Sequence, residues 1–168
     1  MYSFITEQLI ETELYLEPTD LNSNIDNIIL LRLKQKFEGM CYENGVIIKD
    51  TIQLITRGVG KILTHNNKSI VKYNIKYKAK IISPTEGEKI SIYVNNINKM
   101  GIIGYIKIKE YKIIDDKTSP LIIIVPLEYI KVDIKKVKVG QKVDVIILGK
   151  RIKINSEKIQ IVGELNNL

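Results

Sequence analysis

The chain has 168 residues, 45% of them hydrophobic and 27% charged, with a net charge of +7. That balance belongs to a folded globular protein, one medium domain or two small ones, and excludes a disordered chain. No apolar run reaches the roughly 18 residues of a membrane span, the start has no signal-peptide pattern, and a single cysteine, Cys41, excludes an internal disulfide framework or a cysteine-cluster zinc site. The expectation is a protein that stays inside the cell that makes it, with no metal, no cofactor and no membrane partner.

The charge is unevenly spread. Residues 1–50 hold nine acidic and four basic residues; residues 51–83 hold seven basic residues and no acid; residues 84–168 hold fifteen basic and ten acidic. An acidic start followed by basic segments suggests one surface for protein and another for phosphate. The competing reading is compositional: a chain crowded with Ile, Lys and Asn, with Ala79 its one alanine, is what an AT-rich gene produces.

The first predicted strand runs over Thr12–Leu16 and ends at Pro18. Leu21, Ile25, Ile28, Ile29, Leu33 and Phe37 then recur at spacings of three and four, one face of an amphipathic helix. Asp20 or Asn22 can cap its start, Lys34 and Lys36 suit its last turns, and Gly39 is placed for the left-handed residue after its end. It is the only strong helix pattern in the chain.

After it the period becomes two. Val46–Asp50 and Thr51–Ile55 read as short strands behind an Asn44-Gly45 turn. Over residues 69–82, Val71, Tyr73, Ile75, Tyr77, Ala79 and Ile81 alternate with Lys72, Asn74, Lys76, Lys78 and Lys80, a strand with one core face and one wet, positive face. A solvated strand whose lysines guard it from aggregation explains that face equally well. The run SPTEGEK at 83–89 is the best boundary. Beyond it, Ile90–Ile97, Ile102–Ile108, Tyr111–Ile114, Leu121–Val125, Lys142–Leu148 and Ile152–Val162 are candidate short strands, with one helical turn at Leu127–Ile130. Short strands in such number, with no periodic helix, predict a small barrel or sandwich.

No catalytic constellation emerges. Cys41 reads as a small buried apolar residue, with a reactive thiol as the alternative. A Cys41–His65 nucleophile pair has no local support, since His65 stands beside the turn signal Asn66-Asn67. Gly58 and Gly60 flank Val59 without the following helix of a phosphate loop and read as a hairpin tip kept thin by glycine. Glu86 and Glu88 lie in the linker, and Asp115-Asp116 in a turn, both as solvated carboxylates. The lack of a reactive cluster points to a binding role.

The order of these signals resembles the stalk subunit of multisubunit DNA-dependent RNA polymerases, the seventh-subunit type of archaeal and eukaryotic nuclear enzymes. The matching stretches are EGMCYENGVII (38–48), RGVGKI (57–62), VKYNIKYKAKIISPTEGE (71–88), GEKISIYVNNINKMGIIGYI (87–106), LIIIVPLEYI (121–130) and GQKVDVIILGKRIKINSEKIQIVGEL (140–165). The resemblance runs over roughly residues 12–165, and the order and spacing of these stretches are more specific than any one of them. The composition and short last loop are most similar to versions carried by large DNA viruses. The resemblance implies an α+β fold: an N-terminal helix-on-antiparallel-sheet tip domain at residues 1–83, RNP-like, then a five-stranded OB-fold barrel at 84–168. It implies a non-catalytic subunit whose tip (Arg57, Gly58, Val59, Gly60, Lys61 and Ile62) docks on the polymerase core, with a small second stalk subunit as a further candidate partner. Nascent RNA is implied as a weak ligand of the barrel, for which Lys107, Lys109, Lys112, Lys150, Arg151 and Lys153 are the candidates. Lys107 and Lys109 would share one strand face. With only Tyr105 on the second barrel strand and no aromatic on the third, contact is expected to be mainly electrostatic. The implied location is a virus factory in the host cytoplasm and the virion for a viral protein, the nucleus for a cellular one. A free-standing OB protein for RNA or single-stranded DNA, and an enzyme with an unrecognised site, are the alternatives.

Overall fold

The computed structural model describes residues 2–168. The chain forms two compact units. One, the sheet unit, comprises Thr6–Glu38 and Ile47–Ile81; the other, the barrel unit, takes the chain up to Ile5, Gly39–Val46 and Ile82–Leu168. The barrel unit thus draws on two earlier stretches as well as on the last one. The architecture is α+β, one helix on an antiparallel sheet plus a closed five-stranded barrel.

In the sheet unit, β1 (Ile5–Leu16) and β6 (Lys68–Ile82) are neighbours. The other edge of β6 is shared by β4 (Gln53–Arg57) and β5 (Lys61–His65), both antiparallel to it. The helix α1 (Ile25–Phe37) buries Ile29 and Leu33 and stacks Phe37 on Tyr77 of β6, with ring centroids 5.7 Å apart. Val71, Tyr73, Ile75, Tyr77, Ala79 and Ile81 are all buried, so the period-two reading of β6 describes its core face. The helix ends as its sequence predicts, with Gly39 at φ 72°. Its start differs. Asn24 is the cap residue without a side-chain bond, Asn22 instead accepts from the Asn24 N–H at 2.8 Å, and Asp20 pairs with Arg32 at 3.3 Å.

β1 begins seven residues before the predicted strand. Its wet face carries Glu7, Leu9, Glu11, Glu13 and Tyr15, too acidic and irregular to read as an amphipathic strand alone. The partner explains the pattern: Lys78 reaches Glu7 at 2.9 Å, Lys76 reaches Glu11 at 3.1 Å, and Lys72 reaches Glu13 at 2.7 Å. Charges that are segregated along the chain are therefore interleaved in space. The positive face of β6 is matched by the acidic face of β1.

The barrel consists of β7 (Lys89–Asn98), β8 (Gly101–Tyr105), β9 (Leu121–Pro126), β10 (Lys142–Arg151) and β11 (Ile159–Glu164). Its order is β7–β8–β9–β11–β10 with β10 closing on β7, and β11 runs parallel to β9. This is the OB-fold arrangement. Ile90, Ile92, Val94, Ile102, Ile123, Val125, Val145, Ile147 and Ile161 fill the inside. Gly101 opens β8 at φ 135°, where an added Cβ would lie 2.0 Å from the Val125 carbonyl oxygen, so only glycine fits. Three predicted strand assignments change. The last strand, expected from Ile152, begins only at Ile159 after a loop. β8 stops at Tyr105, and Tyr111–Ile114 is no strand: Lys109–Tyr111 is a 3-10 turn bracketed by an isolated Ile108–Ile113 bridge. The helical turn after β9 is present at Leu127–Tyr129.

The same unit contains Cys41–Val46, most of the hairpin of β2 (Cys41–Tyr42) and β3 (Gly45–Ile47). Its turn residues are Glu43 and Asn44, one position before the predicted pair, with Tyr42 opposite Gly45. The loop between β10 and β11 is tied to this hairpin. The Cys41 N–H donates to the Ser156 carbonyl at 2.7 Å, and the Asn155 N–H donates to the Cys41 carbonyl at 3.1 Å. The 83–88 linker is similarly tied. The Gly87 N–H donates to the Ile147 carbonyl at 2.7 Å, and Glu88 accepts from the Thr85 N–H at 3.2 Å and from the Ser3 hydroxyl.

Candidate docking hairpin and nucleic-acid face

The six predicted docking residues lie along β4 and β5. β4 pairs with β6 from Lys78 to Ile75, and β5 pairs with it from Lys72 to Lys68. The chain from β4 to β5 therefore runs on in one direction, and Gly58–Gly60 is a one-residue bulge in a long edge rather than a hairpin tip. The Gly58 N–H stays in the ladder, donating to the Asn74 carbonyl at 2.8 Å. The tip lies at Asn66–Asn67, both at positive φ (49° and 61°). Such a two-residue turn matches the strand twist, which is why Asn serves there.

Length explains what this hairpin exposes. Thirteen helical residues span about 20 Å, whereas fifteen strand residues span about 50 Å, so α1 covers only part of β6. Every residue of β5 is exposed, with Ile62 at 77% and Val59 in the bulge at 87%. Ile55 and Leu63 are also exposed, making four apolar side chains on one edge. Arg57 is held back by an ion pair with Asp26 in the first turn of α1, so it anchors the bulge to the helix. Gly60 packs under Tyr73 and Val71, where an added Cβ would sit 2.8 Å from both side chains; Gly58 has ordinary room.

On the barrel, Lys107, Lys109, Lys112, Lys150, Arg151 and Lys153 are all exposed, but they do not form one line. Lys107 follows β8, and Lys109 opens the 3-10 turn, so the expected shared strand face is absent. Lys112 closes that turn in the left-handed conformation. Lys150 and Arg151 end β10, opposite Ile161 and Gln160 of β11, and Lys153 stands in the loop clasped by Cys41. The register links the two groups. Gly104 of β8 pairs with Ile123, Ile123 with Ile161, and Ile161 with Lys150. Three strand spacings, roughly 14 Å, separate the end of β8 from that of β10 along this ladder. Its Ile123 and Ile161 face the core, while Arg151, opposite exposed Gln160, lies on the outer wall. Half-buried Ile122 and Ile124 of β9 lie between, on that outer wall.

An aromatic pair also occupies this wall. Tyr93 of β7 is directly opposite Tyr105, with ring centroids 6.0 Å apart and planes at 30°. The Lys107 ammonium lies 4.4 Å from the Tyr93 ring centre and 5.6 Å from that of Tyr105. Counting aromatics on the second and third barrel strands misses Tyr93 on the first; its outward register, between buried Ile92 and Val94, is the signal that finds it.

Ser91 and Lys89 hold the Asp144 carboxyl below its ordinary range, the serine hydroxyl contributing most. Burial pushes the Cys41 thiol up, with the Ser156 hydroxyl at 3.2 Å opposing it, which suits a packing residue rather than a thiolate. Among the described residues no group of three or more His, Cys, Asp or Glu could hold a metal ion, and no helix is long and apolar enough to cross a membrane.

No protein-family pattern matches the chain. It is 25% identical over 170 aligned residues to a protein of Acanthamoeba polyphaga mimivirus named as a DNA-directed RNA polymerase subunit, covering 93% of this chain and 79% of that one. It is 29% identical over 97 residues to the DNA-directed RNA polymerase II subunit rpb7 of Dictyostelium discoideum, covering 56% of this chain and 54% of that one. The chain is thus similar to DNA-directed RNA polymerase subunits of the seventh-subunit, or stalk, type, and one match that spans most of it is to a viral protein.

Proposed function

We propose that the chain is a non-catalytic stalk subunit that plugs into its polymerase through the β4–β5 edge and offers the barrel wall to nascent RNA. The observation that carries the docking half is the exposed apolar group Ile55, Val59, Ile62 and Leu63 on a hairpin that outruns its own helix. A protein that leaves such side chains uncovered on a sheet edge invites aggregation unless a partner covers them. Arg57 and Gly60 hold the bulge that presents Val59, so the six predicted docking residues divide into two anchors (Val59 and Ile62), two supports, Lys61 at the rim and Gly58 in the ladder. The large polymerase subunits are the partners this reading requires, and a small second stalk subunit is a further one. For a viral polymerase the place of work is the virus factory and the virion.

Affinity purification of the tagged chain from cells making the whole polymerase tests this. Wild type brings down the large subunits. V59D/I62D loses them at unchanged circular dichroism, since a central apolar anchor contributes about 2 kcal/mol, more than tenfold in affinity. Recovery of the large subunits by the double variant at wild-type salt resistance refutes edge docking. A wild-type chain that brings down RNA but no polymerase subunit favours the free-standing OB protein.

A further inference from the structure

We propose that Tyr93 and Tyr105 form a base-stacking step for single-stranded RNA on the barrel wall, with Lys107 as the arm that passes from ring to phosphate. The proposal rests on the reading of the barrel as an RNA face and replaces a purely electrostatic contact with a two-component one.

Both tyrosines point outward, because Ile92, Val94 and Ile106 beside them are buried. Cross-strand pairing holds the two rings side by side, a span that one or two bases can cover. Cations flank them on both sides: Lys107 lies over the rings, and Lys142 of β10 is opposite Tyr93 in register. The next outward position on this wall pairs Asp144 with Ser91, and that carboxylate is engaged by the Ser91 hydroxyl and by Lys89 at 3.4 Å. Beyond Tyr105 the wall continues through Ile103, Ile122 and Ile124, apolar and without an acid, toward Arg151.

The position of Lys107 distinguishes this arrangement from a plain sheet-stabilising pair. An ammonium over these half-buried rings is held less firmly than a base stacked on them. An incoming base therefore displaces the ammonium from the ring faces. The freed lysine then stands beside the nucleotide whose base displaced it, within reach of its phosphate. Stacking adds affinity that salt does not screen, and the lysines add affinity that it does.

The test is a salt titration of the full chain against a fluorescent oligocytidylate of about ten nucleotides, within the usual OB site size, and against the same ribose-phosphate chain without bases. Wild type binds the base-bearing strand about tenfold more tightly, with equal salt slopes for both. Y93L/Y105L loses that tenfold and keeps the slope, and Y93F/Y105F retains it. K107Q lowers the slope by about 0.7. Equal wild-type binding of the two strands overturns the stacking step while leaving the RNA reading intact, and this comparison needs no variant to fold. Binding of neither strand overturns both. Unchanged binding by a folded Y93L/Y105L, checked by its thermal midpoint, also overturns the stacking step.

Discussion

The barrel strands and the β5–β6 hairpin are written in the same alternating code, yet they end in opposite conditions. In the barrel, closure of β10 on β7 gives every inward residue a neighbour, and Ile90, Ile92, Val145 and Ile147 are sealed on all sides. In the hairpin, strands longer than their helix carry alternation past the end of their cover, and Val59 and Ile62 stay in water. The same apolar residue is a folding determinant in one place and a binding determinant in the other. Burial available within the chain, not hydrophobicity, decides which.

The largest effect follows from that contrast. Ile92→Ala leaves a cavity inside the closed barrel and is expected to destabilise by about 3 kcal/mol, whereas Ile62→Ala is expected to stay within about 0.5 kcal/mol. Urea unfolding followed by circular dichroism measures both, and equal losses would break the comparison.

A smaller effect separates the two glycines of the bulge. Gly60→Val must push Tyr73 or Val71 aside and is expected to cost about 1–3 kcal/mol. Gly58→Ala meets Asn74 only at 3.5 Å and beyond and is expected to be near neutral. A silent Gly60→Val in thermal denaturation contradicts the described packing of the bulge.

The smallest effect concerns the ladder between β1 and β6. The Lys72 ammonium, then the Tyr15 hydroxyl, holds the Glu13 carboxyl below its ordinary range, and Glu13 raises Lys72 in turn. Because the folded carboxyl is the stronger acid, its contribution is present above the unfolded value of about 4 and is lost as pH falls through the folded one. The Lys72 contribution survives until pH rises through the folded lysine range. Glu13→Gln should slightly flatten the fall in urea midpoint between pH 6 and pH 3, and Asp144→Asn should do the same in the barrel. An unchanged pH 6 to pH 3 difference in Glu13→Gln means that the ladder sets register without adding stability.

What could be read in the sequence was whatever a single element states about itself. β6 announces both of its faces, α1 its buried stripe and its glycine stop, and the barrel strands their turns and periods. What could not be read depends on a second element far along the chain. β1 hides its first seven residues behind acids that make sense only opposite Lys72, Lys76 and Lys78. β5 follows two glycines that look like a tip until β6 is seen running past them. The docking residues were legible as a group, but the engagement of Arg57 by Asp26 was not. Tyr93 was in plain view and needed Tyr105 across the ladder to acquire meaning.

The clasp at Cys41 bears on how the molecule is made. The Cys41–Ser156 contact joins positions 115 apart in sequence, and Ser3 meets Glu88 across 85. Contacts so remote close large loops and come late in folding. A ribosome must therefore release nearly the whole chain before the β10–β11 loop finds its seat, and a fragment starting at Ile82 would leave the Ser156 carbonyl and the Asn155 N–H without their partners on Cys41. The barrel, although its strands are consecutive, is finished by residues translated long before it.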